Sequence, residues 1–271
     1  MRTLAPLGRR RVDAIGADDV GAYRILHVAD LTGPVPQPGQ FYMLAAVEGW
    51  GAGADERPYL PRAFSFLSAG EGQLSFMLED VGPGTHRLAR LEDGDELWLT
   101  GPLGLGFRAP DAGPPARRAL LAGGGVGVPP LSAWARELAA DGTPVTVVLG
   151  FRDAHHAAGA ALMADGDVTV ATDDGSVGHH GLVTDLLAAS LGADDHAFVY
   201  ACGPPGMLEA VRALCAARDV PAQLALEAGM ACGFGACYGC VVPLAEGGYV
   251  RLCVDGPVLD ADRLDAVPAH R

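Results

Sequence analysis

Positive charge is scarce in this sequence: 19 lysines and arginines stand against 33 aspartates and glutamates, a net charge of -14 over 271 residues. A field of that sign repels nucleic acid and anionic lipid and favours solubility. Binding of polyanions is therefore excluded except where cations cluster. The one cluster, Arg9-Arg10-Arg11, is expected to be a solvated terminal tail. Long apolar runs are also missing. Stretches such as "ALLAGGGVGVPPL" are broken by glycine and proline, far short of the ~20 residues a membrane span needs. No apolar segment follows the N-terminal arginines, so no secretory signal is read and a cytoplasmic protein is expected. There is no internal repeat, no glycine period and no recognisable catalytic triad.

What is present points to ordered domains. Apolar residues make up 49% of the chain, which excludes a disordered protein, and 38 glycines with 20 prolines imply many turns and close backbone approaches. From about Val12 to Phe107 the pattern is one of short strands. "AYRILHVA", "GQFYMLAAV", "RAFSFLSA", "GQLSFMLEDV" and "DELWLTG" are strand-length, apolar and bounded by Gly, Pro or Asp. That spacing predicts a small antiparallel barrel, with "GTHRLARL" as one short helix and Glu48 to Pro61 as an exposed loop. A linker is read from Arg108 to Arg118. Beyond it strands and helices alternate ("ALLAGG", "PPLSAWARELAAD", "PVTVVLGF", "DVTVATDD", "LVTDLLAAS", "HAFVYACG", "PPGMLEAVRALCAARD"), the signature of a parallel sheet with helices on both faces. From Gln223 the chain turns rich in glycine and cysteine, a segment too small for a good core of its own.

That segment holds the most concentrated chemistry. Cys232, Cys237 and Cys240 are spaced C-x4-C-x2-C, and Cys253 follows after twelve residues. Four thiolates so placed suit a 2Fe–2S cluster, with Gly233, Gly235 and Gly239 letting the backbone curl and aim N–H groups at sulfur. Structural zinc and disulfides are the competing readings. Zinc prefers two C-x2-C pairs where only one exists, and disulfides do not suit a reducing compartment. Cys215 falls in a predicted helix and reads as a buried small side chain.

Two further patterns suggest nucleotide sites. Gly123, Gly124, Gly125 and Gly127 lie between a buried strand and a helix, where free N–H groups suit a pyrophosphate, although the G-x-G-x-x-G fingerprint is not clean. Cys202 and Gly203 in "YACGPPGML", and the loop "ATDDGSVGHHG", end two other strands at the edge where such sheets bind ligands. His155, His156, His179 and His180 come in pairs without metal-ligand spacing and are expected in surface loops. On the barrel, "RAFSF" sets Arg62 and Ser65 on a strand, able to hold a phosphate by guanidinium and hydroxyl. "VGPGTHRL" puts Gly84 and Thr85 at a helix start.

Together these pieces resemble the ferredoxin–NADP reductase superfamily. The matching residues are Arg62, Ala63, Phe64 and Ser65 (Ala63 at a position often proline), Gly84-Thr85, the loop at Gly123 to Gly127 and "CGPPGM". The resemblance implies FAD held by the barrel motifs, with Met77, Leu78 and Glu79 also lining the flavin, and NAD at the glycine loop with Cys202-Gly203 near the nicotinamide. "LEAGMACGFGACYGC" followed by "RLCVDGPVLDADRL" narrows it to the family of electron-transfer subunits of class B dihydroorotate dehydrogenase. This implies a FAD-binding barrel over 1–112, a Rossmann-like NAD domain over 113–222 and a 2Fe–2S module over 223–271, ligated by Cys232, Cys237, Cys240 and Cys253. Implied too is a relay in de novo pyrimidine (UMP) synthesis. Electrons would come from an FMN-containing catalytic subunit, in a heterotetramer of two plus two, and pass through 2Fe–2S and FAD to NAD+. Within the superfamily, subunits of ferredoxin:NAD(P) oxidoreductases, sulfide dehydrogenases and hydrogenases are the alternatives. A non-catalytic module with a zinc staple is the alternative outside it. Arg152, near the end of a strand expected to meet the adenosine half, could attract a 2′-phosphate, and Asp153 beside it opposes that.

Overall fold

The computed structural model describes residues 8–51, 58–109, 118–163, 165–192 and 196–268. The expected linker and the expected long loop lie partly outside them, over 110–117 and 52–57.

Six antiparallel strands close the first barrel: β1 Arg9–Val20, β2 Tyr23–Ala29, β3 Phe41–Ala46, β4 Arg62–Gly70, β5 Gln73–Glu79 and β6 Glu96–Leu103, in the order β1-β2-β5-β4-β3-β6. Helix α1, Pro83–Ala89, follows β5. Alternation decides the register. Leu26, Val28, Leu44, Phe76, Leu78, Leu97 and Leu99 point inward and fill the barrel. The arginine run is not a tail. It opens β1, pairing with β6 from Arg9↔Thr100 onward. The reason is Asp30, whose carboxylate is only 4% exposed and needs a counter-charge. Arg10 ion-pairs with it and also donates to the carbonyls of Gly8 at 2.8 Å and Gly101 at 2.7 Å. Arg9 meanwhile lies 4.3 Å over the Trp98 ring, and Arg11 pairs with Glu96.

The second unit is a seven-stranded sheet in the order β10-β9-β8-β7-β11-β12-β15. Its strands are β7 Arg118–Gly124, β8 Val145–Phe151, β9 Asp167–Thr172, β10 His179–His180, β11 Ala197–Cys202, β12 Ala222–Ala225 and, from the C-terminal segment, β15 Val258–Asp260. All pair in parallel except β12 with β15. Strands β7 and β11 are buried along nearly their whole length, as central strands covered on both faces must be. Covering them are α2 Val128–Ala140, α4 Val183–Ser190 and α5 Pro205–Ala217, while the short α3 Ala154–Ala157 packs on β8 and β9. Prolines in the first turns of α2 and α5 cost no hydrogen bond there. The histidine expectation is corrected: His155 and His156 belong to α3, and His179 and His180 form β10.

Barrel and sheet share a core. Tyr23, Ile25 and Met77 of the barrel pack in one buried cluster with Leu131, Trp134 and Tyr200 of the second unit. The cysteine segment runs from β12 to β15 and contains the hairpin β13 Val241–Pro243 and β14 Tyr249–Arg251, then α6 Leu252–Asp255. It has no separate core. Cys240, Val242, Leu252 and Cys253 join Phe41 and Met43 of the barrel and Leu224 of the sheet in a single cluster. No described helix is long and apolar enough to cross a membrane.

Candidate functional site

The cysteine loop is shaped by backbone that only small residues permit. Gly235 adopts φ 80°, and a Cβ there would stand 2.8 Å from Val254 Cγ2, so a side chain is barred twice over. With that curl in place, the Gly235 N–H donates to Cys253 Sγ at 3.1 Å and the Gly239 N–H to Cys237 Sγ at 3.4 Å. Cys240 Sγ and Cys253 Sγ are 3.2 Å apart, both buried. Burial works against a Cys232 thiolate, but N–H groups of Cys237, Phe234 and Ala236 outweigh it and bring its pKa down to about 6. Burial and the neighbouring Cys240 push Cys253 up to about 12, and the Cys232 charge adds to that push. Among the described residues no three His, Cys, Asp or Glu side chains stand in metal-holding geometry; Cys240 and Cys253 stand as a pair, Cys253 on α6 and the other three cysteines on the loop before β13. Sulfur donors, N–H groups directed at them and a glycine-lined cradle are nonetheless the set a sulfur-bridged iron cluster needs. Sequence reasoning missed Arg251. Its Nη1 donates to the Gly235 carbonyl at 3.2 Å, its backbone N–H bonds Asp255 at 3.0 Å, and its guanidinium lies 5.6 Å from the Tyr238 ring centre.

At the carboxyl edge of the parallel sheet, a cavity of about 290 Å³ gathers Gly124 at the end of β7, Gly125 just after it, Arg152 after β8, Asp173 after β9, and Pro204 and Met207 at the head of α5. This is the topological switch, where strand order reverses between β7 and β11 and ligands of open α/β sheets bind. The predicted glycines divide their work. Gly125 faces open space, whereas a Cβ on Gly127 would run into the Cys202 carbonyl. Gly123 lies against Leu149 and Leu131, and Gly203 against Met207 and the Gly124 backbone. The Cys202 side chain is buried and its thiol pushed well up by burial, so its backbone is what it offers a ligand. Asp173, Leu182 and Met207 went unnamed in the sequence reading. The rule that ligands sit at strand ends was the signal for Asp173.

The barrel residues come together around α1. Arg62 packs over Gly84, where a Cβ would stand 2.5 Å from its Nε, and donates to the Leu60 carbonyl at 2.6 Å. The Thr85 hydroxyl accepts from the N–H groups of Val81 and Gly82, each at 3.0 Å, and donates to the Gly82 carbonyl. Its hydrogen-bonding capacity is thus filled by the turn it shapes. Beside that turn an open cavity of about 510 Å³ is lined by Gly82, Arg87, Arg90 and the pair His86–Asp80, whose ring and carboxylate are 2.7 Å apart, so its two arginines are the charge available to a diphosphate. Ala63 is exposed, while Phe64 and Ser65 are half-buried on β4. On β5, Met77 and Leu78 are buried, Leu78 inside the barrel and Met77 in the shared core. Their side chains are committed to packing. Glu79 ends the strand and ion-pairs with Arg152 of the second unit.

An antiparallel barrel and a parallel sheet with a pocket at its switch point, bridged by a cysteine loop, define a reductase of the ferredoxin–NADP reductase fold with an added iron–sulfur segment. Solved structures agree on the fold. The NADH-dependent reduced ferredoxin-NADP oxidoreductase superposes with TM-score 0.77 at 23% identity, covering 98% of this chain and 92% of that one. The ferredoxin reductase in carbazole 1,9a-dioxygenase gives TM-score 0.68 at 23% identity over 80% of this chain and 67% of that one. Residues 121–213 match the oxidoreductase NAD-binding domain, and 227–265 match the iron-sulfur cluster binding domain of dihydroorotate dehydrogenase B. The dihydroorotate dehydrogenase B (NAD(+)) electron transfer subunit of Geobacillus thermodenitrificans is 38% identical over 262 residues, spanning 94% of this chain and 98% of its own length. That of Bacillus caldolyticus is 42% identical over 234 residues, 83% of this chain and 85% of its own. This chain belongs to the family of dihydroorotate dehydrogenase B electron transfer subunits.

Proposed function

We propose that this chain takes electrons from an FMN-containing dihydroorotate dehydrogenase subunit, in a two-plus-two heterotetramer, and delivers them to NAD+ in pyrimidine (UMP) synthesis. The division into 1–112, 113–222 and 223–271, for FAD, NAD and a 2Fe–2S cluster, is part of the proposal. The observation that carries it is the cysteine loop packed against both larger units, in a chain 38% identical to a relative over nearly its full length. When bound, the cluster would supply single-electron transfer, the flavin a change between one- and two-electron steps, and NAD+ a hydride acceptor.

The chain's own residues do the positioning. Cys232, Cys237, Cys240 and Cys253 would hold iron, with Gly235 and Gly239 donating N–H bonds to sulfur. Arg62, with Arg87 of α1 and Arg90 just past its end, offers charge to a flavin diphosphate. Thr85 fixes the turn, and Phe64, Ser65 and the main chain of Met77 and Leu78 line the ring side. Gly124 and Gly125 present backbone to the dinucleotide, and Gly123, Gly127, Cys202 and Gly203 let the two strand ends approach. Thiols that must stay free for metal support a cytoplasmic location.

The test is a mild anaerobic purification from the native cell, assayed for NADH formation from dihydroorotate and NAD+. Activity that co-purifies with an FMN-bearing subunit is expected. A flavoprotein that NADH reduces but that ignores dihydroorotate would move the function to another NAD-linked complex.

A further inference from the structure

Arg152 is the one cation among the described residues lining the cavity at the sheet edge, and it stands with Asp173 there. It follows β8, the strand next to β7, in the position from which a doubly wound sheet reads the adenosine ribose. An unengaged arginine there would favour a ribose carrying a 2′-phosphate. This one is engaged. Its Nη2 is held by Glu79, which arrives from the barrel 73 residues away in sequence, and by the ring of His156. His156 is itself fixed, with Nδ1 2.7 Å from Asp153 Oδ1 and Nε2 3.4 Å from Glu79 Oε1. Glu79 is 22% exposed and Arg152 64%, so the carboxylate is the anchored partner and the guanidinium the arm it restrains.

We infer that Glu79 is a specificity-determining residue of the nucleotide pocket: by pairing with Arg152 it withholds the one arginine among the described lining residues from a 2′-phosphate and leaves Asp173 to repel one. The pocket then accepts a dinucleotide with a free ribose hydroxyl. This rests on the cavity being the NAD seat. The effect comes from charge balance. A phosphate monoester carries about two negative charges at neutral pH, and with Arg152 neutralised it meets Asp173 unopposed.

The experiment measures dissociation constants of ADP-ribose and 2′-phospho-ADP-ribose by calorimetry on the purified holo complex, which separates binding from electron transfer. Glu79→Gln is expected to tighten 2′-phospho-ADP-ribose relative to ADP-ribose by roughly fivefold, the scale of one exposed charge pair. Glu79→Ala should do the same, and adding Arg152→Gln to either should erase the gain. An unmoved ratio in both Glu79 variants, or a gain that survives without Arg152, overturns the inference. Thr184→Trp, which fills the cavity, separates the two levels. If it blocks ADP-ribose while the Glu79 variants leave the ratio unmoved, only the inference falls. If ADP-ribose binds it undiminished, the assignment of the pocket falls and takes the inference with it.

Discussion

At the scale of single residues, the site depends on side chains that are absent as much as on those present. Gly127 faces the Cys202 carbonyl where a Cβ would stand, so Gly127→Ala must push apart the ends of β7 and β11. We expect it to lower stability by about 2 kcal/mol and to weaken NAD+ binding, read by urea denaturation and calorimetry. Asp153 gives a pH test. Hydrogen bonds from the His156 side chain and backbone bring its carboxyl down to about 2 from an ordinary 3.8. A depressed carboxylate contributes stability that is fully present above its ordinary value and fades as pH falls through the folded one. The urea midpoint of Asp153→Asn should therefore lie below the parent's above about pH 4 and converge with it as pH falls through about 2.

At the scale of elements, the strands of the barrel and sheet were legible because alternation and bounding turn residues are local signals. The iron–sulfur character of the C-terminal segment was legible because cysteine spacing is chemistry written directly in sequence, and residues 227–265 match such a domain. What escaped was set by partners distant in the chain. Three successive arginines read as a tail until Asp30 is seen beside Arg10; Ala222–Ala225 and Val258–Asp260 are too short to be recognised as strands except through their pairing. Glu79 and Arg152 meet only through the packing of barrel on sheet. The first of these partnerships makes a prediction for β1. Burial lowers the Arg10 pKa, but the Asp30 hydrogen bond and charge more than reverse it. Asp30→Ala strands a guanidinium that is 14% exposed, and a loss of about 3 kcal/mol is expected. Urea unfolding followed by circular dichroism would detect it, and a loss under ~1 kcal/mol would mean the pair is a surface contact in effect.

At the scale of the whole molecule, barrel and sheet are joined by continuous apolar packing. Trp134 of α2 lies 5.3 Å from the Tyr200 ring and 6.1 Å from that of Phe107, in the cluster that also holds Tyr23 and Met77 of the barrel. Trp134→Ala should therefore cost about 3–5 kcal/mol and shift the unfolding of both units together. Two separated transitions in the parent protein, followed by calorimetry, would contradict a shared core.

The cysteine segment leaves the sheet at Ala225 and re-enters it at Val258, and those two residues are register partners. Everything between them is an excursion whose two ends are tied at one rung of the ladder. If the segment holds iron, removing it would loosen first the exposed loop around Cys237, while the knot at the mouth and the residues packed in the shared core hold. The knot has a second role, because β15 occupies the flank of β12, whose four residues are all buried. A chain cut short before Val258 would keep all four cysteines of the segment and still lose this strand. It would bare an apolar strand edge to its neighbours, and such edges recruit other chains.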